Sequence, residues 1–192
     1  MRRLKVHVLF EHAADMKPYG SSYIRLLLQL DHPNNRDALE VTSGLEYRRA
    51  DVLIVDRLWR PDISMDMARR LIRRARRDGV KIAYSIDDNL LDLEPYPPLR
   101  FWPSDEHKLV ASYLARRSDA VIVSTDTLRQ RFSSLNEQTI ALPNAIDERL
   151  FFPSRKRPQP GRNERLTIGY MGTLSHDEDL LMIVQPLRDL LR

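Results

Sequence analysis

The chain has 192 residues, 42% hydrophobic and 30% charged, the composition of a folded globular protein rather than a disordered, collagen-like or membrane-spanning one. It contains no cysteine, which excludes disulfide frameworks, Cys-ligated zinc, iron–sulfur clusters and thiol catalysis. With 31 Lys and Arg against 27 Asp and Glu, the formal net charge of +4 gives no strong electrostatic case for nucleic acid, although six of the 26 arginines crowd into residues 69–77.

Met1-Arg2-Arg3 is basic, but Leu4–Phe10 alternates polar and apolar residues and runs at once into Glu11 and His12, so no signal-peptide core forms. Nowhere do about 18 apolar residues follow one another. The expectation is a cytoplasmic protein whose membrane contact, if any, is peripheral at the inner face. Short β-branched runs predict strands at Leu4–Phe10, Leu39–Thr42, Asp51–Val55, Val80–Ile86, Ala120–Ser124, Thr139–Leu142 and Leu166–Met171. Helical spacing predicts helices over Ser21–Leu30, Pro61–Arg77, Ser104–Arg117 and Thr125–Ser134. Strands alternating with helices predict an α/β fold, a Rossmann-like doubly wound parallel sheet. A dinucleotide fingerprint of the GxGxxG type is absent.

Two stretches break the rhythm. Asp87–Pro103 is a long connection carrying Pro95, Pro97, Pro98 and Pro103, and loops of this length are usually functional or disordered. Residues 154–165 are rich in proline and charge and read as a linker between a first domain, 1–153, and the start of a second, 166–192. That second part offers one strand, a Gly172-Thr173 turn and a helix opened by the capping box Ser175-His176-Asp177-Glu178. One strand and one helix cannot form a core, so the expectation is a truncated second Rossmann-like domain and a longer protein.

Four segments resemble the GT-B glycosyltransferases, specifically the family 4-like group. Pro18-Tyr-Gly-Ser-Ser22 resembles the small-residue loop after the first strand, and Tyr84-Ser-Ile-Asp-Asp-Asn89 an acidic motif closing a strand. Leu142-Pro-Asn-Ala-Ile-Asp147 is similar to the Pro-Asn-Gly-Val-Asp segment closing the N-terminal domain, with Ala145 in place of Gly, and Ile168-Gly-Tyr-Met-Gly-Thr173, then His176 and Asp179, to the opening of the C-terminal domain. The resemblance implies transfer of a sugar from a nucleotide-diphosphate donor to a glycan or lipid-linked acceptor, usually with retention of configuration. This chain would be the acceptor-side half, inactive alone. No cofactor is implied beyond the nucleotide sugar as co-substrate, and no metal. The alternative class is a non-catalytic Rossmann-like module that binds a glycan or phosphorylated ligand.

Ligands of open α/β sheets bind at the carboxyl ends of the strands, which selects the candidate residues. Gly20, Ser21 and Ser22 can present backbone N–H groups to a phosphate or oxyanion, or simply cap a helix through Ser21 or Ser22. Asp87 and Asp88 are the catalytic candidates: extended geometry would point them to opposite sides, so one would face the cleft and orient or deprotonate an acceptor hydroxyl. The competing reading is a pair that caps the turn and pairs with arginine. Arg57 can hold a phosphate or sugar carboxylate in its fork, or form a salt bridge to Asp56 or Asp62. Tyr96 and Trp102, with Phe101, offer a face for an acceptor sugar or lipid, or pin the loop to the core. His107, three residues after Ser104, reads as a surface or capping histidine rather than a catalytic one. Gly172 and Thr173 are the donor-phosphate candidates, with Asp177, Glu178 and Asp179 placing negative charge against them; the resemblance adds His176 and Asp179 to the donor set. Asp177-Glu-Asp179 imitates a metal-binding DxD but lies in a helix and calls for no metal. Arg69, Arg70, Arg73, Arg74, Arg76 and Arg77 fall outside the apolar stripe Ile63, Met67, Leu71 and Ala75. They form a solvated face or a contact with anionic lipid headgroups.

Overall fold

The computed structural model describes residues 2–12, 14–94, 102–151, 168–170 and 177–190. Chain contacts divide the molecule into two compact units, Met1–Phe152 and Pro153–Arg192. The first unit is built on six parallel strands: β1 (Leu4–Leu9), β2 (Leu39–Gly44), β3 (Val52–Asp56), β4 (Lys81–Ile86), β5 (Ala120–Val123) and β6 (Thr139–Ala141). They lie in the order β2-β1-β3-β4-β5-β6. Every predicted strand of this unit forms, within a residue or two of its predicted ends. The architecture is α/β with an all-parallel sheet, compatible with a Rossmann-like fold.

Parallel strands present apolar side chains on both faces, and both are used. Leu9, Leu53, Val55, Ile82, Tyr84, Ile86, Val121 and Val123 face one way, into the larger core beneath α3 (Met65–Arg77), α4 (Asp105–Arg117) and α5 (Asp126–Ser133). Val6, Val8, Phe10, Ile54 and Ala83 face the other way against Leu26. That smaller layer is covered by a composite helix: α1 (Gly20–Ser22), a π-helical turn (Tyr23–Leu27) and α2 (Leu28–Leu30).

The capping chemistry accounts for the helix starts. α3 begins at Met65 rather than Pro61 because Ser64, extended at φ −129°, accepts the Met67 N–H at 3.4 Å. At α4 the Ser104 hydroxyl accepts from the His107 N–H at 3.2 Å, while His107 Nδ1 accepts from the Ser104 N–H at 3.1 Å. Of the surface and capping readings, His107 takes the capping one. The composite helix departs from expectation: its N-cap is Tyr19, without a side-chain cap, so neither Ser21 nor Ser22 caps it. A short helix, α6 (Glu148–Phe151), closes the unit.

In the second unit, Ile168–Tyr170 is irregular chain and α7 (Asp177–Leu190) is a helix with Pro186 inside it. The rest of the predicted strand, and Gly172, Thr173 and His176, lie outside the described residues. No helix among the described residues is long and apolar enough to cross a membrane.

Candidate functional site

Strand order decides which residues meet. The chain runs from β1 outward to β2, then returns past β1 to β3 on the other side, so the winding reverses between β1 and β3. Crevices at the carboxyl ends of strands flanking such a reversal are the usual ligand sites of open α/β sheets. Glu11 follows β1, Asp56 ends β3 with Arg57 next, and Asp87 and Asp88 follow β4.

Arg57 is the hub. It sits at φ +48°, a left-handed conformation that a long side chain occupies only when its surroundings enforce it. Its N–H donates to the Ser85 carbonyl at 2.8 Å, and the turn tightens through the Trp59 N–H to the Asp56 carbonyl at 2.8 Å, with Trp59 also at positive φ. So anchored, the guanidinium reaches Glu11 Oε2 at 3.1 Å, Asp88 Oδ2 at 3.1 Å and Asp87 Oδ1 at 3.7 Å. Neither Asp56 nor Asp62 is its salt-bridge partner; Asp62 is taken by Arg60. The Trp102 ring, at the end of the long loop, lies with its centroid 5.6 Å from the Arg57 guanidinium carbon, a cation–π contact that pins the loop to the hub.

The expectation that Asp87 and Asp88 point to opposite sides fails, because β4 ends at Ile86 and the chain turns before alternation can separate them. Both carboxylates meet the same guanidinium. They differ in depth: the Asp87 side chain is 14% exposed and the Asp88 side chain 49%. Asp87 is also reached by Arg25 at 3.4 Å.

Arg25 comes from the π-helical turn, a widened turn of a kind frequently found at functional sites. Its Nε donates to Asn144 Oδ1 at 2.9 Å, while Gln29 donates to the Ala145 carbonyl at 3.2 Å. The helix therefore ties the Pro143-Asn-Ala-Ile-Asp147 segment to the acid pair. Beside Arg25 a cavity of about 380 Å³ is lined by Gln29, His32, Asn34, Asn35, Asn144 and other residues. Ser22, buried, donates to Asp56 Oδ2 at 2.5 Å and lies 3.3 Å from the Glu11 carbonyl. Gly20 is exposed, with open space around a Cβ built on it. The start of this helix thus looks onto carboxyl groups, surroundings that disfavour a phosphate.

Four carboxyl groups face two guanidiniums, and the imbalance shows in their acidities. Burial pushes Glu11 up to about 7, with Asp56 and Asp87 adding to the effect and Arg57 opposing it. Burial also raises Asp56, against the stabilising Ser22 hydrogen bond. On Arg57 burial acts downward, but the surrounding Glu11, Asp87, Asp88 and Asp56 outweigh it and keep the group firmly protonated. Among the described residues, Asp56 Oδ1, Tyr84 Oη, Ser85 Oγ and Asn89 Oδ1 are buried without a hydrogen-bond partner, and Arg57 Nε and Asp87 Oδ1 are buried with ion-pair contacts alone. All six belong to the carboxyl ends of β3 and β4. An unsatisfied buried polar group costs about 1–3 kcal/mol, and such groups in a native fold mark places built for something other than stability.

Tyr96 lies outside the described residues, and Asp179 is exposed on α7. Glu11, Asp56 and Arg25 were not among the sequence candidates. Glu11 carries the same signal as Asp87, a charge directly after an apolar strand; Arg25 stands alone as a charge within Ile24-Arg-Leu-Leu-Leu28. A second group, His32, Asp147 and Glu148, could bring one ligand atom each within 4.8 Å of one another. It is satisfied internally: Arg149 clamps both oxygens of the buried Asp147, and His32, whose Nδ1 accepts from the Asn34 N–H, pairs through Nε2 with Glu148 at 3.1 Å. Comparison with protein-family models and with curated proteins finds no match for the chain.

Proposed function

We propose that this chain is the acceptor-side part of a GT-B glycosyltransferase, which moves a sugar from a nucleotide-diphosphate donor to a hydroxyl of a glycan or lipid-linked acceptor. The observation that carries the reading is the convergence of Glu11, Asp87 and Asp88 on Arg57 and of Asp87 on Arg25, with Asp56 buried beside them, at the carboxyl edge of the sheet and next to the reversal of its winding. In sugar transfer the acceptor oxygen forms a bond to the anomeric carbon, the bond from that carbon to the diphosphate breaks with its electron pair leaving on the diphosphate, and the hydroxyl proton passes to a base. Asp88, half exposed and steadied by Arg57, takes that proton. Asp87, deeper and shared by two arginines, fixes where Arg57 and Asp88 stand. Gly172, Thr173, His176 and Asp179 are assigned to the donor phosphates by sequence resemblance.

The test is nucleoside diphosphate release from nucleotide sugars by the protein carrying this chain. Asp88→Asn is expected to lower turnover about a hundredfold or more at unchanged stability. Asp87→Asn is expected to lower turnover and stability together, since it loosens both arginines. Unchanged turnover in both variants would remove the acid pair from the chemistry, and glycan binding without turnover would favour the non-catalytic module. In calorimetry the 192-residue chain alone is expected to bind nucleotide sugars weakly or not at all; micromolar binding would overturn the acceptor-side assignment.

A further inference from the structure

The six arginines of α3 are all exposed, and the structure adds a second helix to them. Two contacts set α3 and α4 side by side and in step: the Met65 N–H donates to Glu106 Oε1 at 3.1 Å near their starts, and Arg76 donates to the Arg117 carbonyl at 2.8 Å near their ends. The α3 positions on the line from Met65 to Arg76 are Arg69, Arg73 and Arg76, at spacings of four and three. On α4 the buried positions are Val110, Ala111, Leu114 and Ala115, which leaves Leu109, Tyr113, Arg116 and Arg117 outward. One surface therefore carries a row of arginines beside Leu109, which is 61% exposed, and the half-buried Tyr113, over whose ring Arg117 lies at 5.9 Å.

Local partners account for only part of this charge. Among the described residues Arg69 pairs with Asp66 at 3.6 Å, Arg77 with Asp78 at 3.6 Å, and Arg74 lies over the Tyr47 ring at 4.6 Å. Arg70, Arg73 and Arg116 have no carboxylate partner there. The helix macrodipole favours cations only in the last turn, so it explains Arg76, Arg77, Arg116 and Arg117 but not Arg69, Arg70 and Arg73. Arginines that flank an exposed leucine match an anionic bilayer: the guanidiniums meet headgroup phosphates, their stems lie along apolar surface, and the leucine enters the boundary region.

We infer that the outer face of α3 and α4 is a docking surface for an anionic lipid bilayer. This does not depend on the glycosyltransferase reading and its failure would leave that reading intact.

The test is co-sedimentation of the chain with vesicles of 30% phosphatidylglycerol in phosphatidylcholine, and with pure phosphatidylcholine, at low and high salt. Binding is expected on the anionic vesicles alone and is expected to weaken as salt screens the charges. Each arginine removed should cost about fivefold in partitioning, so Arg69→Gln/Arg73→Gln/Arg76→Gln should lose on the order of a hundredfold. Circular dichroism checks that the variant stays folded. A control with the same charge loss elsewhere, Arg3→Gln/Arg36→Gln/Arg129→Gln, should stay within a few-fold of the parent, and Leu109→Ser should weaken binding without changing its salt dependence. Equal sedimentation of the parent and the arginine variant would overturn the proposal. So would equal binding to uncharged vesicles, or a preference for a short DNA duplex over the vesicles that the arginine variant abolishes.

Discussion

Glu11 shows most plainly what burial does to a charge at this site. Its pKa near 7 in the folded chain, against an ordinary value near 4.5, means that the folded state holds the proton more tightly. The stability this confers is fully present below pH 4.5 and is lost as pH rises through 7, on the order of 3 kcal/mol across that window. His7 acts in the opposite sense: burial lowers its pKa, so its contribution is lost as pH falls below the ordinary histidine value. Comparing variants isolates the first effect. Glu11→Gln is expected to flatten the fall in stability between pH 5 and pH 8 in urea titrations, and an unchanged slope would mean that Glu11 is ionised throughout. Arg57 is the counterpart. Arg57→Gln strands buried carboxylates and is expected to cost about 3–5 kcal/mol at pH 8. The penalty should shrink towards pH 5, because without the guanidinium Glu11 keeps its proton to still higher pH; a pH-independent penalty would show that lost packing, not stranded charge, is the cause.

At the scale of the element, local chemistry is well written in the sequence and long-range pairing is not. Ser104 stands where a cap is expected and His107 one turn on, a local pair that the structure closes into a box, and Ser104→Ala is expected to cost about 1 kcal/mol in urea unfolding, with more lost when His107→Ala is added. The predicted ends of the strands were close for the same reason, since apolar runs and turn residues mark them. The π-helical turn had no such mark: nothing in Tyr23–Leu27 distinguishes it from an ordinary helix, and so Arg25, whose reach to Asp87 and Asn144 starts from that turn, was invisible. Asp87, Asp88 and Arg57 were legible as charges at strand ends. That they form one group with Glu11 depends on β1, β3 and β4 being adjacent, which no local pattern states.

For the molecule as a whole, the class of fold was legible because an alternation of β-branched runs and amphipathic helices has few compact solutions. The two faces of the sheet are nonetheless unequal. Three full-length helices cover the larger core, while the smaller one relies on the composite helix that also supplies Ser22 and Arg25. Packing and site thus share one element on that side, so a core substitution such as Leu26→Ala should disturb both. Such a change is expected to cost about 2–5 kcal/mol and to loosen the acid pair, whereas the equivalent change at Leu114 should lower stability alone.

The position of β1 has a kinetic consequence. β1, which comes first of these six strands along the chain, is an interior strand, and its neighbours are β2 and β3: Val6 pairs with Val41 on one edge and with Val52 on the other. During synthesis β1 therefore waits, apolar, with both edges open until β2 has followed it and with one edge open until β3 has. On refolding, the same two pairings require large loops to close before any of their hydrogen bonds form, an entropic toll that slows parallel sheets in general. A strand that ends up in the interior of the finished sheet is thus the one that a nascent chain leaves unpaired longest, and there folding competes with aggregation.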